Sequence, residues 1–393
     1  MRNTTCSCMV AAVGFLALAC ADARPPTEPV GSDAPRVAEA ATGQSVTWAT
    51  PALLCSDGVK RAQLQGIYPL DEAGDLVLVG RSGCVAGSED FQVFDLSSGT
   101  PVIVDSINTL EPGFNLGMHS PAGSPIGFAV EGKKLVVFEP HQGFSTVSIP
   151  CAAICTANGV WANSPTDLWV VTSGAPSQIL RYHRGAWVIE YEGFFVRDVW
   201  GFAGNPPDIY AAGDGIVRRL PNGTWQEVMS PLAKPAACGG GFWSVHGSSP
   251  TDMWVAGAAA CVVHGGGPHW FETPGPANAF QGAIAAVWSL DPHHVLLAGQ
   301  GGVDLTLGLI ALWGTADGGA SWMQVSDPLF TSLPTATDAG FFNLAASLDG
   351  TRIYVPSIAG TLILGTLNWP NLSGRVAAPG AGSSAGVIIS PEN

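Results

Sequence analysis

Apolar residues along this chain come in short runs, such as Leu76-Val77-Leu78-Val79, Phe128-Ala129-Val130 and Leu135-Val136-Val137-Phe138, each broken by Gly, Pro, Ser or Asp. Runs this brief, rich in Val, aromatic and other β-favouring residues, predict strands joined by tight turns. Helical periodicity is hard to find beyond the leader. One pattern recurs with a Trp on either side of a turn. It reads Val160-Trp161-Ala162-Asn163-Ser164-Pro165-Thr166-Asp167-Leu168-Trp169, and again Val245-His246-Gly247-Ser248-Ser249-Pro250-Thr251-Asp252-Met253-Trp254. Looser copies are Val199-Trp200-Gly201 through Pro207-Asp208-Ile209-Tyr210, and Val287-Trp288-Ser289 through Asp291-Pro292-His293-His294.

The marker residues Asp167, Asp208, Asp252 and His294 are 41, 44 and 42 residues apart. That is the length of a four-stranded propeller blade, too long for an ankyrin or leucine-rich unit. Within a copy, glycines follow the second strand (Gly213 and Gly257), and a Trp opens the fourth at Trp187, Trp225, Trp270 and Trp322. Weaker copies with markers near 75, 125 and 352 extend the array to about seven blades, a count open by one either way. The predicted fold is therefore all-β, a single propeller in which each sheet buries its faces on its neighbours. Ser45-Val46-Thr47-Trp48 and Gly386-Val387-Ile388-Ile389 are candidate strands for closing the ring.

The ends add an address. Residues 1–19 read as a signal peptide, with Arg2 before an apolar run from Met9 to Ala19 that is too short for a membrane span. Leu16-Ala17-Leu18-Ala19-Cys20 resembles the lipobox of bacterial lipoproteins, which implies a lipid on Cys20. It departs from that pattern at Ala17, where the family prefers Leu; the alternative is an ordinary signal cleaved after Ala19 or Ala23. Residues 20–44 form a tether rich in Pro, Ala and Glu that buries no core, which leaves 45–393 for the propeller. Loss of the leader leaves 15 basic against 31 acidic residues, a surface that repels nucleic acid and anionic lipid. Charged residues make up 12% of the chain and hydrophobic ones 47%, as sheets buried on both faces require.

Six cysteines remain beyond Cys20, an even number that suits disulfides in an exported protein. Nearest-neighbour pairing gives Cys55–Cys84, Cys151–Cys155 and Cys238–Cys261, the last flanking the first two strands of one repeat. Zinc is not expected, because no second Cys pair or ordered His pair follows. His264, His269, His293 and His294 read as turn and strand residues rather than metal ligands, and His246 takes the slot filled by Trp161. Gly239-Gly240-Gly241 lies between strands and has no helix to cradle phosphate. No nucleophile elbow or metalloprotease motif occurs, and no cofactor is expected.

Thr315-Ala316-Asp317-Gly318-Gly319-Ala320-Ser321-Trp322 resembles the Asp-box of sialidases and other propellers, with Thr315, Asp317, Gly319 and Trp322 at defined positions. In that family it is a structural hairpin in which Asp caps turn amides and Trp packs between blades. A sialidase-like hydrolase would also need three carboxylate-binding arginines and a Tyr–Glu pair. The chain has one clear Asp-box, lacks the family's N-terminal Arg motif, and places Arg181, Arg184, Arg197, Arg218 and Arg219 mostly on third strands and adjoining turns.

Residues from about 159 to 325 resemble the Val-Trp-Gly-Ser-Ser-Pro-Thr-Asp-Val-Trp repeat of myxobacterial propeller lipoproteins, and are similar to the photosystem II assembly-factor-like and Asp-box propellers. Ser347-Leu348-Asp349-Gly350 through Val355 looks like the hairpin of Tyr-Val-Thr-Asn-type and WD-repeat propellers. The resemblance implies fold more than function. The sequence reading is a non-enzymatic binding or scaffold propeller, monomeric, held by its lipid in the envelope of a Gram-negative bacterium, with an exported protein or a glycan as partner. The alternative is a carbohydrate-binding or glycan-hydrolysing propeller, which two close channel carboxylates beside arginines would favour.

Overall fold

In the computed structural model of the protein, residues 63–366 are described apart from 86–87, 99–100, 110–116, 152–153, 277–282, 301–309, 326–342, 348–351 and 357–361. They form seven antiparallel sheets, each made from strands consecutive in sequence. Blade 1 comprises Gln63–Pro69, Leu76–Val85, Ser88–Asp95 and Val102–Asn108. Blade 2 comprises Met118–His119, Gly127–Glu131, Lys134–Glu139 and Gly143–Ser148. Thr156–Ser164, Asp167–Ser173, Ser177–His183 and Ala186–Gly193 make blade 3. Val196–Phe202, Asp208–Gly213, Ile216–Arg219 and Trp225–Met229 make blade 4. Blade 5 holds Phe242–Ser249, Asp252–Gly257, Val262–Gly266 and His269–Thr273. Blade 6 holds Ile284–Ser289, Val295–Gln300, Ile310–Thr315 and Met323–Val325. Blade 7 shows three strands among the described residues, Ala345–Ala346, Arg352–Pro356 and Leu362–Thr366.

The seven-bladed propeller read from the repeat is the fold, and every second strand begins within two residues of its expected marker. Helix among the described residues is limited to two short 3-10 turns, Ala236–Cys238 and Ala258–Ala260. Blade 7 closes on blade 1 through the Tyr354 hydroxyl, which donates to the Gly74 carbonyl, and through an Arg352–Asp75 ion pair. The proposed closing strands at 45–48 and 386–389 lie outside the described residues, as do the leader, Cys20, the tether, Cys55 and Trp369.

The core lies between blades rather than within them. Strand alternation sends Trp169 and Val171 toward blade 4, where they meet Val196, Val199, Ile209, Ala211 and Val217. Their neighbours Leu168 and Val170 face the other way, onto Phe128, Val130 and Leu135 of blade 2. A second strand buried on both faces explains the unbroken apolar runs. The glycines that recur after second strands have a steric reason. A Cβ on Gly213 would stand 2.1 Å from the Phe195 carbonyl oxygen, and one on Gly257 would stand 2.2 Å from that of Gly241. Both glycines let the second strand close on the start of the innermost strand.

The recurring Asp also has a structural job. Asp167 accepts from Arg181 Nε at 2.6 Å, Asp208 from Arg218 Nε at 3.0 Å, and Asp252 lies 2.7 Å from His264 Nε2. Each basic side chain comes from the third strand and covers the aromatic residue two positions after the Asp. Arg181 lies 4.8 Å over Trp169, Arg218 5.4 Å over Tyr210, and the His264 ring stacks on Trp254 at 3.9 Å. The carboxylate thus pins a cation or imidazole over a buried ring, adding cation–π or stacking energy to apolar packing.

Candidate functional site

All seven innermost strands or their leading residues line one axial cavity of about 460 Å³, a size that admits a small ligand or a few side chains. The repeat sets its layers, because equivalent residues of successive blades stand side by side around the axis. Where the innermost strands begin, the wall carries Asn158, Arg197 and Trp243. Midway lie small residues, including Gly117, Ser244 and Ala286, whereas Ala345, paired with Tyr354 as Trp200 is with Tyr210, stands in the layer beyond. Where the strands end, Tyr68, Trp200, His246 and Trp288 supply an aromatic layer, with Phe202 and Leu290 beyond it.

Two sets of side-chain bonds tie one blade's innermost strand to the next. In the aromatic layer, His119 Nδ1 accepts the Ala162 N–H at 3.1 Å, and His246 Nδ1 accepts the Ser289 N–H at 3.0 Å. In the same slot Trp200 donates its indole N–H to the Gly247 carbonyl at 3.0 Å. One layer up, Asp198 accepts the Val245 N–H at 2.9 Å and its neighbour Val199 N–H at 2.8 Å, and Ser244 Oγ accepts the Val287 N–H at 3.2 Å. His246 packs against Trp200 with ring centres 3.8 Å apart, and His119 lies 5.5 Å from Trp200 and 5.1 Å from Tyr68. Both imidazoles use Nδ1 as an acceptor, so both are neutral with the proton on Nε2.

Electrostatics follow from this enclosure. Burial pulls His119 down to about 3; burial, with His119 nearby, does the same to His246 against the opposing pull of Asp252. Burial pushes the Asp198 carboxyl up to about 6, although its backbone hydrogen bonds and Arg197 work the other way. A bulge at Arg197 interrupts the strand's alternation, and Arg197 and Asp198 both turn toward blade 5. Asp198 meets the backbone of that blade, and Arg197 lies over its Trp243, the guanidinium carbon 4.6 Å from the ring centre. Among the described residues, no carboxylate comes within ion-pair distance of Arg197.

The positions singled out in the sequence separate clearly. Arg181, Arg218 and Arg219 lie on third strands and Arg184 at the following turn, but Arg197 is on an innermost strand and reaches the cavity. His264 and His294 serve Asp252 and Asp291 respectively, and among the described residues no His, Cys, Asp and Glu side chains gather as a metal site. Among the described residues the cavity lining has one carboxylate, Asp198, and one arginine, Arg197, so the glycan-hydrolysing alternative is not favoured. Cys151 and Cys155 come together, Cα atoms 6.1 Å apart, and so do Cys238 and Cys261 at 5.1 Å.

The Thr315–Trp322 hairpin joins the third and fourth strands of blade 6, at the opposite end of the channel from Arg197. Asp317 accepts the Ser321 N–H at 2.9 Å and the Ser321 hydroxyl at 2.6 Å, and Thr315 Oγ1 accepts the Gly319 N–H at 2.9 Å. Gly318 and Gly319 take φ of 69° and 83°, and Trp322 donates to the Pro274 carbonyl while meeting Trp254 edge-on. The sequence reading passes over Trp243 and Asp198, and it names Arg197 only among arginines expected mostly on third strands and adjoining turns, whereas Arg197 is on an innermost strand. Aligning Arg197-Asp198-Val199-Trp200 with Trp243-Ser244-Val245-His246 supplies the missing signal, since equivalent positions share a layer.

No protein-family profile matches the chain, and no curated protein does. Solved structures are similar in fold. One is described as "YCF48 bound to D1 peptide", with TM-score 0.57 and 14% identity over 84% of this chain and 97% of that one. Another is the WD40 repeats of RRP9, with TM-score 0.56 and 12% identity over 80% and 99%. A third, YCF48 from Cyanidioschyzon merolae, has TM-score 0.53 and 11% identity over 81% and 98%. Identities this low show a shared propeller and no more.

Proposed function

We propose that this chain is a non-enzymatic binding or scaffold propeller that captures a segment of a partner protein at its axial cavity. It is exported and held at the envelope of a Gram-negative bacterium through a lipid on Cys20. The observation that carries the binding reading is the cavity itself: one continuous space shared by all seven blades, with a polar, cationic mouth and an aromatic far end. Rings of this kind bind extended segments because side chains from several blades converge on one axis. Propellers of similar fold include one solved with a bound peptide, which supports a protein partner here. The anchor rests on the lipobox resemblance at Leu16–Cys20.

A photo-crosslinking residue placed at Asn158, on the cavity wall, is expected to give a discrete adduct in the native host. The same residue at Val188, on the outer strand of blade 3, is expected to give none. Adducts from Val188 alone, or from neither position, would remove the cavity-binding reading. In the same host, Cys20→Ser is expected to move the chain from the membrane fraction to the soluble one. Unchanged sedimentation of the variant with membranes would rule out the anchor.

A further inference from the structure

We propose that the mouth of the cavity over blades 3 to 5 docks a partner segment in which one internal acidic side chain is flanked by apolar residues, with Arg197 taking the carboxylate. This rests on the binding reading above and names the chemistry of the segment.

The cation is built into the wall, and among the described residues it has the charge of adjacent Asp198 nearby but no carboxylate within ion-pair distance. Arg197 lies over the Trp243 ring at 4.6 Å, a cation–π contact that holds the guanidinium against the wall. Burial works against its charge, and the neighbouring Asp198 is committed to the Val245 and Val199 amides. An anion arriving from outside restores what the desolvated guanidinium lacks, and a planar carboxylate matches its fork. The chain has a net charge of −15, so the surroundings disfavour a polyanion and leave a single carboxylate as the fitting group.

The apolar half of the site comes from the same end of the ring. Loops entering an innermost strand all emerge at the end where those strands begin. In the loops entering blades 3, 4 and 5, Ile154 is 90% exposed, Phe195 36% and Leu232 99%. Large apolar side chains at three successive loop tips mark an interaction surface. Two of those loops are braced. Ile154 lies between the paired Cys151 and Cys155, and the loop bearing Leu232 ends at Cys238, paired with Cys261. Bracing lowers the ordering cost of docking.

The test uses the full chain and an array of short amidated peptides, each with a central Glu, Gln or Lys among Leu, Ile, Phe and Ser in varied order. The wild type is expected to prefer Glu over Gln roughly ten-fold, the worth of one charge-assisted pair. Arg197→Gln is expected to bring that ratio to near unity, and Arg197→Lys to leave it intermediate, since the charge stays and the planar fork goes. Leu232→Ser and Ile154→Ser are expected to weaken Glu and Gln peptides alike, roughly three-fold, without changing their ratio. Folding of each variant is checked by its near-ultraviolet circular dichroism. Parity of Glu and Gln peptides on the wild type, or a preference that survives in Arg197→Gln, overturns the proposal while leaving cavity binding intact. Gln peptides with a free C-terminal carboxylate that outbind amidated Glu peptides overturn the internal acid. Binding of no peptide overturns the proposal, and takes the cavity reading with it only if the Asn158 crosslink is also absent.

Discussion

Urea unfolding at pH 5 is expected to show a folded state weaker by about 2–3 kcal/mol than at pH 7, with most of the loss traceable to two histidines. His119 and His246 have folded-state values near 3 against 6.5 when unfolded. A base whose value is depressed on folding contributes no penalty above 6.5, and loses stability as the pH falls from there toward 3. At about 1.36 kcal/mol per unit, the fall to pH 5 costs about 2 kcal/mol for each ring. Asp198 acts oppositely. Its folded value, raised to about 6 from 3.8, makes the folded state gain stability as pH falls through 6. That returns about 1 kcal/mol by pH 5 on the same conversion. The physical cause is the acceptor role of Nδ1, because protonating it sets a donor against the Ala162 or Ser289 N–H.

Two variants separate the contributions. In His246→Asn, the amide oxygen can still accept the Ser289 N–H but does not titrate. The neutral-pH stability should drop through the lost stacking on Trp200, and the difference between pH 7 and pH 5 should shrink by about 2 kcal/mol. Asp198→Asn should instead enlarge that difference by about 1 kcal/mol. An identical pH difference in the wild type and His246→Asn would show that the imidazole is not the titrating group.

Much of this architecture could be read from the chain, for a simple reason. A blade cannot bury its own faces, so every copy must repeat the same Val-Trp step, turn and Asp, and the repeat is visible in one sequence. The same repeat puts Trp187, Trp225 and Trp270 at the start of the fourth strands, where the structure has them. Layers around the axis were harder, because a channel residue is defined by its neighbours in other blades. Arg197 looks like any other arginine until Trp243, 46 residues later, is laid beside it. Its sequence neighbours Arg218 and Arg219 went to blade interfaces instead, sorted by strand position rather than by residue type. The role of the recurring Asp was likewise hidden, since its partners Arg181, Arg218 and His264 sit on a third strand whose register no local pattern fixes.

The interface between blades 3 and 4 gives the second large effect, at Glu190. Its Oε2 accepts the Arg219 Nε at 2.8 Å and the indole N–H groups of Trp169 and Trp225 at 2.9 and 3.2 Å; Oε1 accepts from Arg219 at 3.2 Å. Arg181 stands a further 3.6 Å from Oε1. Burial alone would raise this carboxyl, but Arg219 and Trp169 overcome it and hold it below the ordinary carboxylate range. Arg219 is itself buried and lies over the Trp169 ring at 5.3 Å. Removing Glu190 therefore strands a buried cation and two indole donors between blades. Glu190→Ala is expected to cost about 3–5 kcal/mol in urea unfolding, the range for breaking one side of a buried pair. Arg219→Ala should cost less, since Glu190 keeps the indoles and Arg181. The double variant should cost less than the sum of the two by about 2 kcal/mol, because no charge is then left unpaired. Strict additivity would mean that the two side chains share a place but not an energy, and that apolar packing of Trp169 alone joins the blades.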